Sequence, residues 1–377
     1  MSNISYIKTF LDEKYFELPK NKVTSFFKSF SAGYSSHKIE SIMPFLFVVN
    51  KTSDFDKFFV SHTLNCTFVF LKDEIVQKFY SNTLSKNEKQ ELAENFKKLK
   101  QALISVVVFP EKKQTVFGET GVVCKELTDF VFELNFNIKF LSLINTFFLS
   151  PVWTNEMRRC DTTFNQQFNL KVDDYKEFSK ERFFEKFNKC MPSSTSQLMR
   201  RFNPRIRSHK RAEHIETMFF CCPNCEEFFT LYSEFNCLKC KNCGSALEFA
   251  FNGGIELSSK VSNLDEFASF QLEKLQSCDF GKKPIVCYNK LNYLKSNYRN
   301  KVQILGEIEA EFFANKIHIF KNNFDKTYTF KDIEEISIQK NNVLHIKTKN
   351  DEEFIHGPHH ENMYFFVELF NNSKNKD

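Results

Sequence analysis

The sequence predicts three structural parts: an α/β domain, a small cysteine-rich ribbon and a C-terminal antiparallel β module. Three observations predict this order. Long apolar runs alternate with helix-like stretches up to residue 195, six of the twelve cysteines fall within residues 221–243, and short alternating strands follow from about residue 302. A chain of 377 residues is long enough for each part to bury apolar surface of its own.

Residues 1–195 have the alternating pattern of an α/β domain. The runs PFLFVV, CTFVFL, LISVVVF and NIKFLSLI have the length and composition of buried strands. Helix-like stretches such as SKNEKQELAENFKKLKQ lie between them, which is typical of a sheet covered by helices. The first run ends in the polar loop VVNKTSDFDKFF, residues 48–59, where Thr52 and Ser53 are natural helix caps and Asp56 falls in the first helical turn.

Two Cys-x-x-Cys pairs mark a ribbon over residues 215–250. Each tight turn directs two thiolates at one tetrahedral ion, so the sequence predicts a structural Zn²⁺ in a closed shell of four cysteines. Cys237-x-x-Cys240 is a competing register, Cys221 is an additional thiol, and reduced cysteines without metal are the other interpretation. The predicted ligands are Cys222, Cys225, Cys240 and Cys243.

The remaining chain divides into a linker and a β module. Residues 196–214 form a basic connector before the ribbon, and residues 251–300 are a linker with one amphipathic helix. Residues 301–373 contain short alternating strands and then ENMYFFVELF, a helix with one apolar face. This order resembles a pleckstrin-homology-like (PH-like) barrel closed by a helix, a kind of module that binds lipids or peptides; a purely structural appendage is the alternative.

Composition limits the classes of function. The formal net charge of +5 is mild and does not by itself indicate nucleic acid or anionic lipid as a partner. We find no uncharged apolar run of about eighteen residues, and the first twenty residues lack the apolar core of a signal peptide. The cysteines are not spread as in a secreted disulfide framework. We therefore expect a cytoplasmic protein without a transmembrane helix.

Four sequence blocks in the first domain resemble those of the glycerolipid acyltransferases. NKTSDFDKFF, CTFVFLKDEIVQ, VVVFPEKKQTVFGETG and IKFLSLINTFFLSPVWTNEMRR follow the order and approximate spacing of that family's blocks. The whole chain is most similar to a bacterial subgroup with a zinc ribbon and a small β-rich module after the acyltransferase domain. The resemblance implies an acyl-CoA or acyl-carrier protein as acyl donor and a lysophospholipid or glycerol phosphate as acceptor.

The resemblance also implies which residues occupy the catalytic positions. In the family, an Asn-His pair followed by four residues and an Asp forms an HX4D-type site, where the His deprotonates the acceptor hydroxyl and the Asp orients its ring. Asn50 and Asp56 match this pattern, but Lys51 stands in the His position. An ordinary lysine, with a pKa of about 10.4, is a cation at pH 7 and has no lone pair to accept a proton. The general base is therefore missing.

The substrate-binding blocks are altered as well. The family's Phe-Pro-Glu-Gly block becomes Phe-Pro-Glu111-Lys112, whereas Gly118 and Glu119 of the following Phe-Gly-Glu-Thr-Gly block are retained. The resemblance implies that these four residues line the substrate site. No Arg occurs between residues 1 and 157, so the family's phosphate-gripping Arg has no counterpart there.

Three functions are consistent with these residues. The protein is a weak acyltransferase at the cytoplasmic membrane face, or a pseudoenzyme whose fold persists as a lipid-binding or scaffolding module. Alternatively, the ribbon and connector bind nucleic acid, because cations are dense there. The same cations suit anionic lipid headgroups. The cations concerned are Arg200, Arg201, Arg205 and Arg207.

Phenylalanine-rich segments are additional candidates for membrane contact. They comprise residues 55–59 and the stretch NTFFLSPVW at 145–153. Their alternative role is core packing, which is the usual fate of large apolar side chains.

Overall fold

The computed structural model describes residues 7, 9–19, 39–40, 43–53, 55–112, 117, 121–154, 157–191, 194–203, 205–258, 260–296, 302–321, 324–339, 342–358 and 360–374. The chain divides into two compact units. The first comprises Met1–Leu149 with Arg158–Arg207, and the second comprises Ser150–Met157 with Ser208–Asp377. Across the described ranges, no helix combines the length and the apolar character needed to cross a membrane.

The first unit contains eight described strands and eight described helices. The strands are β1 (Phe16–Glu17), β2 (Ile39–Glu40), β3 (Phe45–Val49), β4 (Leu64–Asn65), β5 (Phe68–Leu71), β6 (Ser105–Val108), β7 (Asn137–Ile144) and β8 (Thr163–Leu170). The helices are α1 (Asp56–Thr63), α2 (Asp73–Tyr80), α3 (Lys86–Gln101), α4 (Lys125–Leu134), α5 (Thr146–Leu149), α6 (Val172–Tyr175), α7 (Lys180–Cys190) and α8 (Thr195–Phe202).

Six of these strands form one mixed sheet in the order β1-β5-β6-β3-β7-β8. The central strands β5, β6, β3 and β7 are parallel, and β1 and β8 pair antiparallel at the two edges. The predicted α/β sheet is thus confirmed. Because parallel strands point the same way, the loops after β3, β5, β6 and β7 all leave from one edge of the sheet.

Burial explains why the central strands are continuous apolar runs. Every residue of β5 and β6 is buried, as expected for strands with both faces covered. The helices contribute aromatic side chains to this core, among them Phe79, Phe96 and Phe130. A capping box between Ser85 and Glu88 fixes the start of α3, which carries Phe96.

The described part of the second unit contains two antiparallel sheets and two helices of more than ten residues. The ribbon sheet has the order β12-β11-β10-β9, and the C-terminal sheet has the order β16-β15-β14-β13-β19-β18-β17. The predicted C-terminal antiparallel sheet is therefore confirmed. The strands are β9 (Leu231–Glu234), β10 (Cys237–Cys240), β11 (Ala246–Phe249), β12 (Ile255–Glu256), β13 (Val286–Ser296), β14 (Val302–Phe312), β15 (Lys316–Lys321), β16 (Phe324–Thr329), β17 (Ile333–Gln339), β18 (Val343–Thr348) and β19 (Glu352–His356). The helices are α9 (Leu264–Ser277) and α10 (Tyr364–Lys374).

Helix α10 packs on the C-terminal sheet and also contacts aromatic residues near the ribbon. Phe366 stacks on Phe312 of β14 with the ring centroids 3.6 Å apart. The neighbouring Phe365 makes edge contacts with four rings from outside the sheet. Those rings belong to Phe220, Phe228, Phe229 and Phe280. The ribbon and the C-terminal sheet therefore share one aromatic cluster, centred on Phe365.

The basic connector at residues 196–214 falls in both units. Its first part is the amphipathic helix α8, whose Leu198 and Met199 are buried. Ser208 and the residues after it belong to the second unit. Arg211 is buried there, and its guanidinium donates to the carbonyls of Phe249 and Ser208. The four arginines of the connector that belong to the first unit are exposed: Arg200, Arg201, Arg205 and Arg207.

Candidate functional site

Four loops meet at the carboxyl edge of the parallel strands. Lys51 follows β3, Asp73 follows β5, Glu111 follows β6 and Thr146 follows β7. Hydrogen bonds join them: Lys51 contacts both Asp73 and Glu111, and the hydroxyl of Thr52 lies 2.5 Å from that of Thr146. Ligands of α/β sheets generally bind outside the carboxyl ends of the strands, which makes this edge the candidate site.

Asp56 organises the loop that precedes helix α1. Its carboxylate accepts hydrogen bonds from the backbone N–H and the hydroxyl of both Thr52 and Ser53. The side chain is only 2% exposed. Burial raises the pKa of Asp56 to about 6, although these hydrogen bonds oppose the rise. These four donors occupy the roughly four acceptor sites of a carboxylate. Asp56 therefore holds the loop at Thr52 and Ser53 in place.

Lys51 is held by contacts to two other loops. Its backbone N–H donates to Glu111 Oε2 at 3.0 Å. Its ammonium donates to Asp73 Oδ2 at 2.9 Å. Lys51, which stands in the base position, is thus an ammonium paired with Asp73. The sequence analysis did not select Asp73. Asp73 lies in the block CTFVFLKDEIVQ directly after a strand, and that position was the available signal.

Asp73 is shared by two lysines. Its Oδ1 lies 3.1 Å from Lys57 Nζ, and Lys57 also forms an ion pair with Glu17. Partial burial raises the pKa of Asp73, but the two ammonium groups outweigh it and lower the pKa overall. Asp73 is therefore a carboxylate at neutral pH, with one ammonium on each oxygen.

Glu111 is a buried acid at this edge of the sheet. It is 4% exposed, and burial raises its pKa to about 8 against the opposing hydrogen bond from Lys51. Its side chain packs directly on Gly121, where an added Cβ would lie 2.6 Å from Glu111 Cγ. Gly121 is thus required for close approach, a role that sequence reasoning missed although the residue belongs to the retained Phe-Gly-Glu-Thr-Gly block.

The other predicted substrate residues are only partly placed. Lys112 is exposed, and its carbonyl accepts a hydrogen bond from Gln77 of α2. Gly118 and Glu119 lie outside the described residues.

The phenylalanine-rich segments are mostly core. Every described residue of 145–153 is buried, with Phe147 fully so and Trp153 2% exposed. Phe59 is 2% exposed, whereas Phe58 is half-buried and stacks on His62. Core packing, the alternative role, therefore accounts for residues 145–153.

Four cysteines of the ribbon form a second candidate site. The Sγ atoms of Cys222, Cys225, Cys240 and Cys243 all lie within 4.8 Å of one another and could hold a metal ion. The separation is 3.8 Å for Cys222–Cys243 and 3.7 Å for Cys225–Cys240.

The two Cys-x-x-Cys turns support each other's sulfur atoms. The amide of Asn224 in the first turn donates to Cys243 Sγ, and the amide of Asn242 in the second turn donates to Cys225 Sγ. The hydrogen bonds from Asn224 and Ser245 lower the pKa of Cys243. Reciprocal donors of this kind stabilise thiolates and set the distance between the turns.

The two additional cysteines lie outside this group. Cys221 is buried and its thiol hydrogen-bonds the carbonyl of Glu226, while burial raises its pKa to about 12. Cys237 lies at the start of β10, paired with Glu234 and Glu248. Among the described residues, the four thiols that lie together include Cys240 and Cys243. The competing register, Cys237 with Cys240, is therefore not the one formed.

Comparisons with known proteins give only distant likenesses. No protein-family model and no curated protein matches the chain. The crystal structure of the 1-acyl-sn-glycerophosphate (LPA) acyltransferase PlsC from Thermotoga maritima is 18% identical over 43% of this chain and 68% of that chain, with a TM-score of 0.32. The solution structure of the N-terminal PH domain of human ARAP2 is 16% identical over 27% of this chain and 88% of that chain, with a TM-score of 0.21. Neither likeness assigns an activity, a ligand or a residue role to this protein.

Proposed function

We propose that the first unit is an acyltransferase-like domain that binds a lysophospholipid or glycerol-phosphate lipid at the cytoplasmic surface of a membrane. Its degenerate HX4D-type site transfers acyl chains weakly or not at all. The four sequence blocks support the lipid class. The loss of catalytic activity is inferred from the pairing of Lys51 with Asp73, which lies 22 residues further along the chain.

Acyl transfer to a hydroxyl requires a group that takes the hydroxyl proton. Lys51 has no lone pair while its ammonium is bound to Asp73, and Asp56 already accepts four hydrogen bonds from its own loop. Glu111 is 4% exposed and its carboxyl group accepts the backbone N–H of Lys51, so it is not presented to a substrate hydroxyl. Loss of a general base costs about 10² to 10⁴ in rate, so slow turnover at most is expected.

The test is an acyl-transfer assay on purified full-length protein. Acyl-CoA or acyl-carrier protein is offered with a panel of lysophospholipids, and lipid binding is measured in parallel. We expect binding without efficient turnover. Lys51→His should recover only a small part of the lost rate, because Asp56 has no acceptor position left to orient an imidazole. Efficient turnover by the wild type would refute the degenerate-site proposal, and absence of lipid binding would refute the lipid proposal.

We further propose that the cysteine site holds a structural Zn²⁺. A tetrahedron with Zn–S bonds of about 2.3 Å has sulfur–sulfur edges of about 3.8 Å. The two sulfur separations of 3.8 and 3.7 Å agree with that geometry. Four thiolates leave no coordination position for a substrate, so the ion stabilises the ribbon and takes no part in transfer.

The charges of the ribbon and the connector favour a membrane surface over nucleic acid as the partner of the connector. The ribbon, residues 215–250, contains two Lys and no Arg against five Glu, so it is acidic. The exposed arginines of residues 200–207 lie in the first unit, with the acyltransferase-like sheet. A basic surface on a lipid-handling unit suits anionic headgroups.

A further inference from the structure

We propose that Lys51 and Lys57 bind a phosphoryl group, and that Asp73 occupies their site as an internal carboxylate until the phosphate displaces it. This inference rests on the proposed lipid-binding function and names the group of the lipid that the site recognises. It also gives Lys51 a role other than proton transfer.

Lys51 and Lys57 lie on the two oxygens of one carboxylate. Asp73 Oδ2 accepts a hydrogen bond from Lys51 at 2.9 Å and Oδ1 lies 3.1 Å from the ammonium of Lys57, which also keeps an ion pair with Glu17. Two anionic oxygens bridging two ammonium groups is also the arrangement that a phosphate makes with a pair of lysines. No Arg lies between residues 1 and 157, so the basic residues of the loops after β3, β5 and β6 are all lysines.

The lysine pair and Asp73 lie at the start of helix α2. Asp73 is the first residue of α2, and the preceding Lys72 provides no side-chain cap for that helix. The N-terminus of an eight-residue helix adds partial positive charge from its N–H groups, which favours an anion at this point. The cluster also lies at the carboxyl edge of the parallel strands, where α/β sheets bind ligands.

The backbone of Lys51 is fixed, whereas its ion pair with Asp73 is open to exchange. Glu111 holds the backbone of Lys51, and Asp56 holds the two residues that follow it. The ion pair itself is partly exposed, with 26% of the Lys51 side chain and 37% of the Asp73 side chain accessible to solvent. Partly exposed ion pairs contribute little to stability. Breaking the Lys51–Asp73 pair to bind a more highly charged phosphate therefore costs little free energy.

The test measures binding of glycerol 3-phosphate to the full chain by titration calorimetry at low ionic strength. Glycerol is the control without phosphate, inorganic phosphate is the free anion, and vesicles containing lysophosphatidic acid present the group as a lipid headgroup. Asp73→Asn removes the competing charge and should tighten glycerol 3-phosphate binding by about fivefold or more. Lys51→Gln with Lys57→Gln should weaken it by about tenfold or more.

The matched control is Lys14→Gln, which breaks a partly exposed ion pair with Glu91 in the same unit but outside the site. It should leave affinity unchanged. Lys57→Gln alone leaves the Lys51–Asp73 pair intact and should still weaken binding, which keeps the test valid where the double variant fails to fold. Unchanged or weaker binding by Asp73→Asn, together with unchanged binding by the lysine variants, would overturn the inference.

The outcomes separate this inference from the function on which it rests. Lysolipid vesicles that bind equally well to the wild type and to the lysine variants overturn the phosphoryl site but leave lipid binding in place. Glycerol 3-phosphate that binds through the two lysines, with no binding of any lipid vesicle, upholds the site and overturns the lipid function. Binding of inorganic phosphate as tight as glycerol 3-phosphate identifies the free anion as sufficient.

Discussion

Individual side chains decide what the carboxyl edge of the first sheet can do. Lys51, Asp56 and Glu111 occupy positions that the acyltransferase resemblance marks as functional, yet each is engaged in a structural contact within the protein. Glu111 is the residue whose contact has a clear consequence for pH. Its carboxyl group is almost fully buried, so its protonation state is coupled to folding.

Glu111→Gln should stabilise the protein relative to wild type as pH rises. The folded-state pKa of Glu111 is raised to about 8, above the unfolded value, so its favourable contribution is complete below the unfolded pKa of about 4.3 and is lost as pH increases through 8. We expect the difference in unfolding free energy between the variant and wild type to grow by at least about 1 kcal/mol between pH 5 and 8.

Urea unfolding at several pH values measures this difference. Glu133→Gln is the control, because Glu133 is an exposed partner of Lys180. A difference that is independent of pH would show that Glu111 ionises normally in the folded protein.

At the scale of elements, the ribbon and helix α10 are joined by direct side-chain contacts. The residues after Cys225 include Phe228 and Phe229, and both rings contact Phe365 of α10. Glu226, next to Cys225, forms ion pairs with Lys260 and with Lys274 of α9. A change in the cysteine site is therefore transmitted to two helices by direct contact.

Removal of the metal should unfold residues 215–250 and loosen α10. The ion assembles a segment with a small core of its own, so its binding free energy is largely folding free energy. Elemental analysis should find one zinc per chain, and hydrogen exchange after chelation should accelerate in the ribbon and in α10 but not in β6 of the first unit.

Two cysteine variants identify the ligand register. Cys222→Ser should lose the metal, and Cys221→Ser should retain it because Cys221 lies outside the four-sulfur group. Well below one zinc per chain in protein purified without chelator would contradict the metal proposal. Retention of zinc by Cys222→Ser would contradict the ligand set.

At the scale of the whole molecule, four exposed arginines lie close together in the sequence. The exposed arginines of residues 200–207 belong to the first unit, and one of them, Arg207, also pairs with Asp161. Arg201 lies over the ring of Phe202, which is 37% exposed. An exposed aromatic ring beside cations is typical of surfaces that contact a membrane interface.

We expect salt-sensitive binding to vesicles that contain anionic lipid and weak binding to neutral vesicles. Each cation near an anionic surface contributes about 1 kcal/mol, so replacing four of them with Gln should weaken binding by about tenfold or more. Screening at physiological salt should reduce the wild-type signal. The replaced residues are Arg200, Arg201, Arg205 and Arg207.

Co-sedimentation at low and at physiological salt tests this prediction. A control variant removes the same charge from helix α3 by Gln substitution of Lys86, Lys89, Lys97 and Lys98. Absence of pelleting with anionic vesicles at both salt concentrations would eliminate the membrane-surface proposal. Preferential binding of a DNA or RNA duplex would favour the nucleic-acid alternative.

The sequence alone determined the features that are encoded within a few neighbouring residues. Apolar runs predicted β3, β5, β6 and β7, and the spacing of the cysteines predicted two turns that could share one ion. The identity of Lys51 already excluded an ordinary general base at that position. These features depend on local periodicity and residue chemistry, which a single sequence contains in full.

Only the tertiary structure decided which distant residues meet. The sheet order places β3 between β6 and β7, so the loop after β3 contacts Glu111 on one side and Thr146 on the other. The partner of Lys51, the burial of residues 145–153 and the choice of Cys240 with Cys243 follow from packing between segments far apart in the chain. Such contacts are set by strand order and long-range burial, which local sequence patterns do not specify.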